Sequence, residues 1–272
     1  MEKIRLDVLI EQRGLAHSRS LAQRLVMAGS VRVNGQVMLK PSTQVNPADK
    51  IDIAEHARFV SRGGEKLLAA IEEFGYIDLT GKICVDVGAS TGGFTDCLLQ
   101  HKAARVYAID VGYGVLDWKI RNDPRVVVME KTNARYVTGY DDLIDLVVVD
   151  ASFISLRTLL PVIKTWFINE SGLVIALIKP QFEAGRAETA RGSGVIRDPL
   201  VHITVLESIL TFAQSTGFQV KGLIRSPLTG PKGNIEFLVH LALPKTDDRE
   251  ITALVQGLNL EPVEDQGTLP GS

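Results

Sequence analysis

The sequence predicts an α/β protein: a doubly wound sheet of seven strands, the last antiparallel, preceded by a small α+β unit. Three observations predict this. From Ile83 onward, Val/Ile-rich runs (ICVDVGA, RVYAIDV, VVVMEK, DLVVVDA, GLVIALI, FQVKGLI and IEFLVHLAL) alternate with helical stretches. Continuous apolar strands separated by helices imply a largely parallel sheet covered on both faces. FQVKGLIRS and IEFLVHLAL are joined only by SPLTGPKGN, which has no room for a crossover helix, so these two strands pair antiparallel. Before about residue 53 the order is different, with two helices and then a hairpin.

In the first unit, RLDVLIEQRG has helical apolar spacing at Leu6, Leu9 and Ile10 and stops at Gly14. SRSLAQRLVMAG opens on Ser18, a residue type that caps helix N-termini, and closes on Gly29, with Leu21, Leu25 and Val26 on one face. VRVNGQVML alternates around Asn34-Gly35, the dipeptide that best tolerates a tight hairpin turn. VNPADKIDI adds a strand ending at Ile53. Lys3, Arg5, Arg13, Arg19, Arg24, Arg32, Lys40 and Lys50 make the unit locally basic. The order helix, helix, V-R-V-N-G hairpin resembles the S4 RNA-binding domain, with SRSLAQRLVMAGSVRVNG its most specific portion. The resemblance implies that Arg13, Arg19, Arg24 and Arg32 contact RNA phosphates, which gives salt-dependent affinity more than base specificity.

AEHARFVSRGGEKL leads out of this unit, and its Gly63-Gly64 reads as a flexible joint. EKLLAAIEEFG is an amphipathic helix that turns Leu67, Leu68, Ile71 and Phe74 inward. Helices then follow ICVDVGA, DLVVVDA (SLRTLLPVIKTWF) and GLVIALI (LVHITVLESILTFAQS). The expected organisation is an S4-like unit at 1–56, a linker at 57–64, a doubly wound domain at 65–245 and a polar extension at 246–272 whose end is poorly ordered.

The chain has 272 residues, a formal net charge of −2, 45% hydrophobic and 23% charged residues, and a mean hydropathy of +0.12. These values suit an ordinary protein with a sizeable core. Cys84 and Cys97 belong to no metal-spaced cluster and cannot build a disulfide framework, so a reducing cytoplasm is the expected compartment and no metal is expected. MEKIRLDVLIEQRG lacks the apolar core of a signal peptide, and GLVIALI is too short to span a bilayer. Secretion and membrane insertion are disfavoured.

DVGASTGGFTD, residues 86–96, admits three readings. GASTG fits the G-x-S-x-G nucleophile elbow of a hydrolase, with Ser90 as nucleophile, Asp150 as acid and His202 or His240 as base. However, His202 falls in a helical stretch and His240 in a strand, whereas a triad base belongs on a loop at the nucleophile's edge. A dinucleotide site wants G-x-G-x-x-G, which Gly88, Gly92 and Gly93 do not match. An acid followed by D-x-G and small residues suits S-adenosylmethionine, whose zwitterionic methionine end needs close backbone approach and no phosphate nest. Asp110 ends the next strand, where a carboxylate can accept from both ribose hydroxyls; that placement fits NAD equally well. The glycine spacing favours the methyl donor, with Asp86, Gly88, Ser90, Thr91, Gly92, Gly93, Phe94 and Asp110 as its candidate contacts.

Asp150 ends the fourth of the seven strands and Lys179 the fifth, so both project at the carboxyl edge where open α/β sheets bind ligands. Glu236 begins the last strand, which runs the opposite way, and so reaches the same edge. Lys66 sits on the helix before the first strand. Two lysines and two acids there form a hydrogen-bonded network suited to deprotonating a weak acid such as a ribose hydroxyl. Lys66-Asp150-Lys179-Glu236 resembles the K-D-K-E tetrad of FtsJ-like RNA ribose 2′-O-methyltransferases. With the S4-like start, residues 1 to about 245 resemble the TlyA family, also called haemolysin A. SRGGEKL, DVGASTGGFTD, YGVLDWKIRNDPRV, TNAR, DASFISL and IKPQFEAG are the specific pieces.

The resemblance implies a Rossmann-like class I methyltransferase fold and 2′-O-methylation of cytidine in ribosomal RNA, with S-adenosylmethionine as donor and ribosomal subunits as the setting. It makes Lys179 the base, with Lys66 beside it, Asp150 and Glu236 holding both, and Asn133 and Asp150 near the donor. The polar loop 181–198 is expected to be an RNA-contacting flap using Arg186, Arg191 and Arg197. Two other classes stay open: an RNA-binding protein whose methyltransferase-like domain is inert, and a cytolysin, as the haemolysin name suggests. A NAD-dependent oxidoreductase is the enzyme alternative.

Overall fold

The computed structural model describes residues 3–53, 58–185, 194–258 and 260. The first unit runs β1 (Ile4–Arg5), α1 (Leu6–Gln12), α2 (Arg19–Met27), β2 (Val31–Val33), β3 (Gln36–Val37), β4 (Gln44–Val45) and β5 (Ile51–Ile53). β2 pairs antiparallel with both β3 and β5, and β1 pairs with β4. The hairpin turns at Asn34 and Gly35, both at positive φ, as the dipeptide requires. Ser18 caps α2, its Oγ accepting from Leu21 N at 3.2 Å. Leu6, Ile10, Ala22, Val26 and Val31 are fully buried between the helices and the small sheet.

A buried carboxylate ties the two helices together. Asp7 on α1 is fully buried and accepts from Arg5 (3.0 and 2.8 Å), from Arg19 Nε (3.1 Å) and from Gln23 Nε2 (2.8 Å). The Arg5 guanidinium, with help from Gln23 and Arg19, holds the Asp7 carboxyl well below the usual carboxylate range. A carboxyl whose folded pKa is depressed adds stability above its unfolded value of about 4, and that stability drains away as pH falls towards the folded value. The protection of amides in α1 and α2, taken relative to intrinsic exchange at the same pH, should therefore fall as pH drops below about 4. Asp7→Asn should weaken the unit by about 2 kcal/mol at neutral pH and flatten that acid dependence; an unchanged exchange profile would contradict the clamp.

The second unit opens with α3 (Gly63–Phe74) and continues β6 (Ile83–Val87), α4 (Gly93–Gln100), β7 (Arg105–Ile109), α5 (Trp118–Arg121), β8 (Val126–Met129), β9 (Leu146–Val149), α6 (Leu156–Trp166), β10 (Gly172–Ile178), α7 (Pro180–Glu183), α8 (Pro199–Ser215), β11 (Gln219–Arg225), β12 (Phe237–Leu243) and α9 (Ile251–Gln256). All seven expected strands form one sheet in the order β11-β12-β10-β9-β6-β7-β8. β12 lies antiparallel between β10 and β11, and the β10-β9-β6-β7-β8 pairings are parallel. Side chains alternate across the pleat: Val85 and Val87 face the α6/α8 layer with Leu159, Ile163, Trp166 and Leu206, whereas Cys84 faces the α3/α4 layer with Leu67, Ile71 and Leu98.

Two expectations change. Gly63 and Gly64 are not a flexible joint but the first turn of α3. A Cβ on Gly64 would lie 2.2 Å from Phe59 Cγ, so the residue is small because the preceding chain packs flat against it. The extension after Lys245 contributes α9, which buries Ile251 and Val255 against the second core. The expected disorder of the last residues falls outside the described ones. Among the described residues, no helix is long and apolar enough to cross a membrane.

Candidate active site

The carboxyl edge of the sheet is shaped first by the loop after β6. Asp86 is fully buried; its Oδ2 accepts from Thr95 Oγ1 at 2.6 Å, while Oδ1 has no partner among the described residues. Burial pushes the Asp86 carboxyl up to about 7. Gly88 follows at φ +86°, where a Cβ would stand 2.7 Å from Asp150 O, so the chain passes against the end of β9 with no room for a side chain. Gly88 N and Ala89 N both donate to Ile109 O (2.9 and 3.0 Å), fixing the loop to β7.

A cleft of about 460 Å³ opens over the ends of β6, β7, β8 and β9. Gly88, Ser90, Asp110, Asn133 and Asp150 line it, together with Ser152 and Phe153. Asp110 accepts from Ser90 N at 2.8 Å and Gly112 N at 2.7 Å, which fixes its carboxylate at the rim. Asn133 caps a single 3-10 turn, its Oδ1 accepting from Arg135 N at 3.1 Å, so it is a turn residue that also faces the cleft. Asp86, Thr91, Gly92, Gly93 and Phe94 do not line it: Asp86 lies within β6, Thr91 and Gly92 in the loop after it, and Gly93 and Phe94 in the first turn of α4. Neither histidine of the hydrolase reading lines this cleft: His202 lies within α8, bonded to Ile196 O, and His240 lies within β12, bonded to Tyr76.

Beside the cleft the four charged residues form two ion pairs. Lys179 Nζ lies 2.6 Å from Asp150 Oδ1 and donates to Ser152 Oγ at 3.0 Å. Lys66 Nζ lies 2.6 Å from Glu236 Oε2. Sheet register explains the convergence: Ile178 pairs with Phe237, so the next residue of β10, Lys179, and the one preceding β12, Glu236, leave adjacent strands side by side. β9 pairs with β10 through Val149 and Ala176, which puts Asp150 on the strand next door. α3, across the α3/α4 face, brings Lys66. Lys66, Lys179 and Glu236 are 6%, 7% and 1% exposed, whereas the Asp150 side chain retains 21%. Two lysines held out of water, each against a carboxylate, suit proton transfer and the fixing of a small polar group. Ser152 was not singled out from the sequence; its place two residues beyond Asp150 in DASF is the signal that could have found it.

Residues 59–243 match the FtsJ-like methyltransferase model and residues 4–51 the S4 domain model. The chain belongs to the FtsJ-like methyltransferase family. A relative from Mycobacterium tuberculosis, named 16S/23S rRNA (cytidine-2′-O)-methyltransferase TlyA, is 44% identical over 88% of this chain and 90% of its own length. Hemolysin A of Brachyspira hyodysenteriae is 42% identical over 88% of this chain and 100% of its own. A solved structure from Streptococcus thermophilus that carries the name hemolysin superposes with a TM-score of 0.74 at 42% identity, covering 95% of this chain and 94% of that one.

In this FtsJ-like methyltransferase the four candidate arginines of the S4 unit are exposed but engaged. Arg13 donates to Asp49 O at 2.8 Å and also to Pro47 O, Arg19 pairs with Asp7, and Arg32 donates to Gly35 O at 3.2 Å. Arg24 reaches across to the methyltransferase unit, pairing with Asp117 Oδ2 at 2.9 Å. That pair joins the two units, a role its basic character did not announce. Arg197 is exposed before α8. Arg186 and Arg191 lie outside the described residues.

Proposed function

We propose that this protein uses S-adenosylmethionine to methylate the ribose 2′-hydroxyl of cytidine in ribosomal RNA, acting in the cytoplasm on ribosomal subunits. The observation that carries this reading is the pair of desolvated lysine-carboxylate contacts, Lys179-Asp150 and Lys66-Glu236, beside a cleft in a methyltransferase fold. The activity in the name of the Mycobacterium tuberculosis relative supports the substrate class. In this reading residues 1–56 dock the RNA and 65–245 hold donor and acceptor, while Gly63 and Gly64 of the expected 57–64 linker open α3.

The residues present fit the donor. Gly88 leaves bare backbone at the cleft, Asp110 presents a fixed carboxylate for ribose hydroxyls and Asn133 an amide for adenine. When bound, S-adenosylmethionine supplies a methyl group on a positively charged sulfur. The chain's own part is to hold the 2′-oxygen and relieve it of its proton. Lys179 first gives a proton through Asp150 to the solvent that reaches that carboxylate, and its neutral amine, held by Asp150 and Ser152, then accepts the hydroxyl proton; Lys66 with Glu236 completes the polar wall.

The function itself is tested by incubating the protein with radiolabelled S-adenosylmethionine and unmodified ribosomal subunits and mapping the label. Label on a cytidine 2′-oxygen is the expected result, and label on a base or none at all overturns the reading.

A further inference from the structure

Among the described residues, four aromatic side chains are more than 70% exposed: Tyr113 (73%), Trp118 (75%), Tyr136 (74%) and Phe153 (90%). All four lie on the segments that leave the carboxyl ends of β7, β8 and β9, the edge that bears the cleft. We propose that two of them, Trp118 and Tyr113, form a stacking surface for single-stranded nucleotides of the RNA substrate, set between the S4 unit and the cleft. The proposal rests on the RNA-modifying reading above and extends it to a surface outside the cleft wall.

The exposure does not come from a loosely held loop. Gly112 N donates to Asp110 Oδ1 at 2.7 Å, Lys131 N donates to Gly112 O at 2.9 Å, and Asp117 N donates to Thr91 O at 3.1 Å. Asp117 then caps α5 through Lys119 N at 2.9 Å and receives Arg24 from α2 at 2.9 Å. A segment pinned at both ends and across the domain seam nevertheless leaves an indole and a phenol in water. Such faces accept any base by stacking, and single strands are bound by aromatic platforms interleaved with cations. The cations are in place: Lys131 Nζ stands 4.3 Å over the Tyr113 ring, and the half-exposed Arg24 adjoins Trp118 through Asp117. This mixture of ring faces and cations at the seam suits a polyanion with bases better than a second copy of the chain, which would call for a continuous apolar patch.

The chain has two tryptophans; Trp166 is 1% exposed in the core, so added RNA or iodide reaches only Trp118. Titrating the full-length protein with oligocytidylate, and with ribosomal RNA lacking the modification, should quench its emission and protect it from iodide. Trp118→Ala should weaken RNA binding roughly tenfold or more and raise the KM for RNA, with Trp118→Phe recovering most of the loss and S-adenosylmethionine affinity unchanged; Tyr113→Ala should act in the same direction. Unchanged emission with RNA, or RNA affinity and KM unaltered in Trp118→Ala while the unaltered enzyme methylates RNA, overturns this surface alone. Emission that changes with protein concentration in the absence of RNA assigns it to self-association and overturns it too. An unaltered enzyme that neither binds nor methylates RNA overturns both this surface and the reading beneath it.

Discussion

Replacing Lys179 by alanine should lower methyl transfer by about 10²–10⁴-fold, the span that one positioned acid-base group contributes, while leaving the fold and donor binding in place. The asymmetry of the site is the reason. Lys179 is 7% exposed, but its partner Asp150 keeps 21% of its side chain in contact with solvent, so the carboxylate left behind is hydrated by water entering from the cleft. Alanine also removes packing, and Lys179→Arg separates the two effects. A guanidinium can keep the ion pair with Asp150, yet it holds its protons at every accessible pH and cannot accept one. The arginine variant should therefore melt near the unaltered protein and bind RNA and donor as before, with turnover reduced as far as in the alanine variant. Retention of more than about a tenth of the turnover by Lys179→Arg, a smaller loss than a lost acid-base group produces, would assign the residue to positioning and leave the proton acceptor elsewhere.

The placement of these residues was legible in the sequence to different depths. Asp150 and Lys179 sit where apolar strand runs end, so the carboxyl edge follows from pattern and topology alone. Glu236 needs in addition the antiparallel pairing of β11 and β12 forced by the short SPLTGPKGN connection, which the sheet shows, while the place of β12 beside β10 is a further tertiary fact. Lys66 is different. It reaches Glu236 across 170 residues from a helix on one face of the sheet, and only the resemblance to a known tetrad linked the two. Tertiary contacts account for what was missed. Gly63-Gly64 has the composition of a joint, but the Phe59 ring packed on Gly64 makes it a helix start. Arg24, a candidate phosphate contact, also pairs with Asp117, 93 residues on, a link between the two units that no local pattern announces. β1 and β4 are two residues each, too short for any periodicity to register, and ITALVQ gives barely more than one helical turn of pattern for α9.

Glu236→Ala should be the most destabilising of the single changes considered, by roughly 3–5 kcal/mol, because it strands a buried cation. Lys66 is 6% exposed and its ammonium lies 2.6 Å from a carboxylate that is itself fully sequestered, so losing Glu236 removes the carboxylate that pairs with a cation held out of solvent. The backbone of Glu236 is also committed, its carbonyl accepting from Ser226 N at 2.9 Å, and its side chain fills the space above Gly230, where a Cβ would come 2.1 Å from Oε1. Glu236→Gln keeps that shape and should cost less. The informative variant is the double replacement Lys66→Met/Glu236→Leu, since exchanging a whole buried ion pair for apolar groups of similar volume is often neutral or stabilising. Denaturant unfolding of the double variant should return close to the unaltered midpoint, while methyl transfer stays lost. Recovery of stability together with activity would instead mean that Lys66 and Glu236 serve only as a structural pair, and that Lys179 and Asp150 carry the chemistry without them.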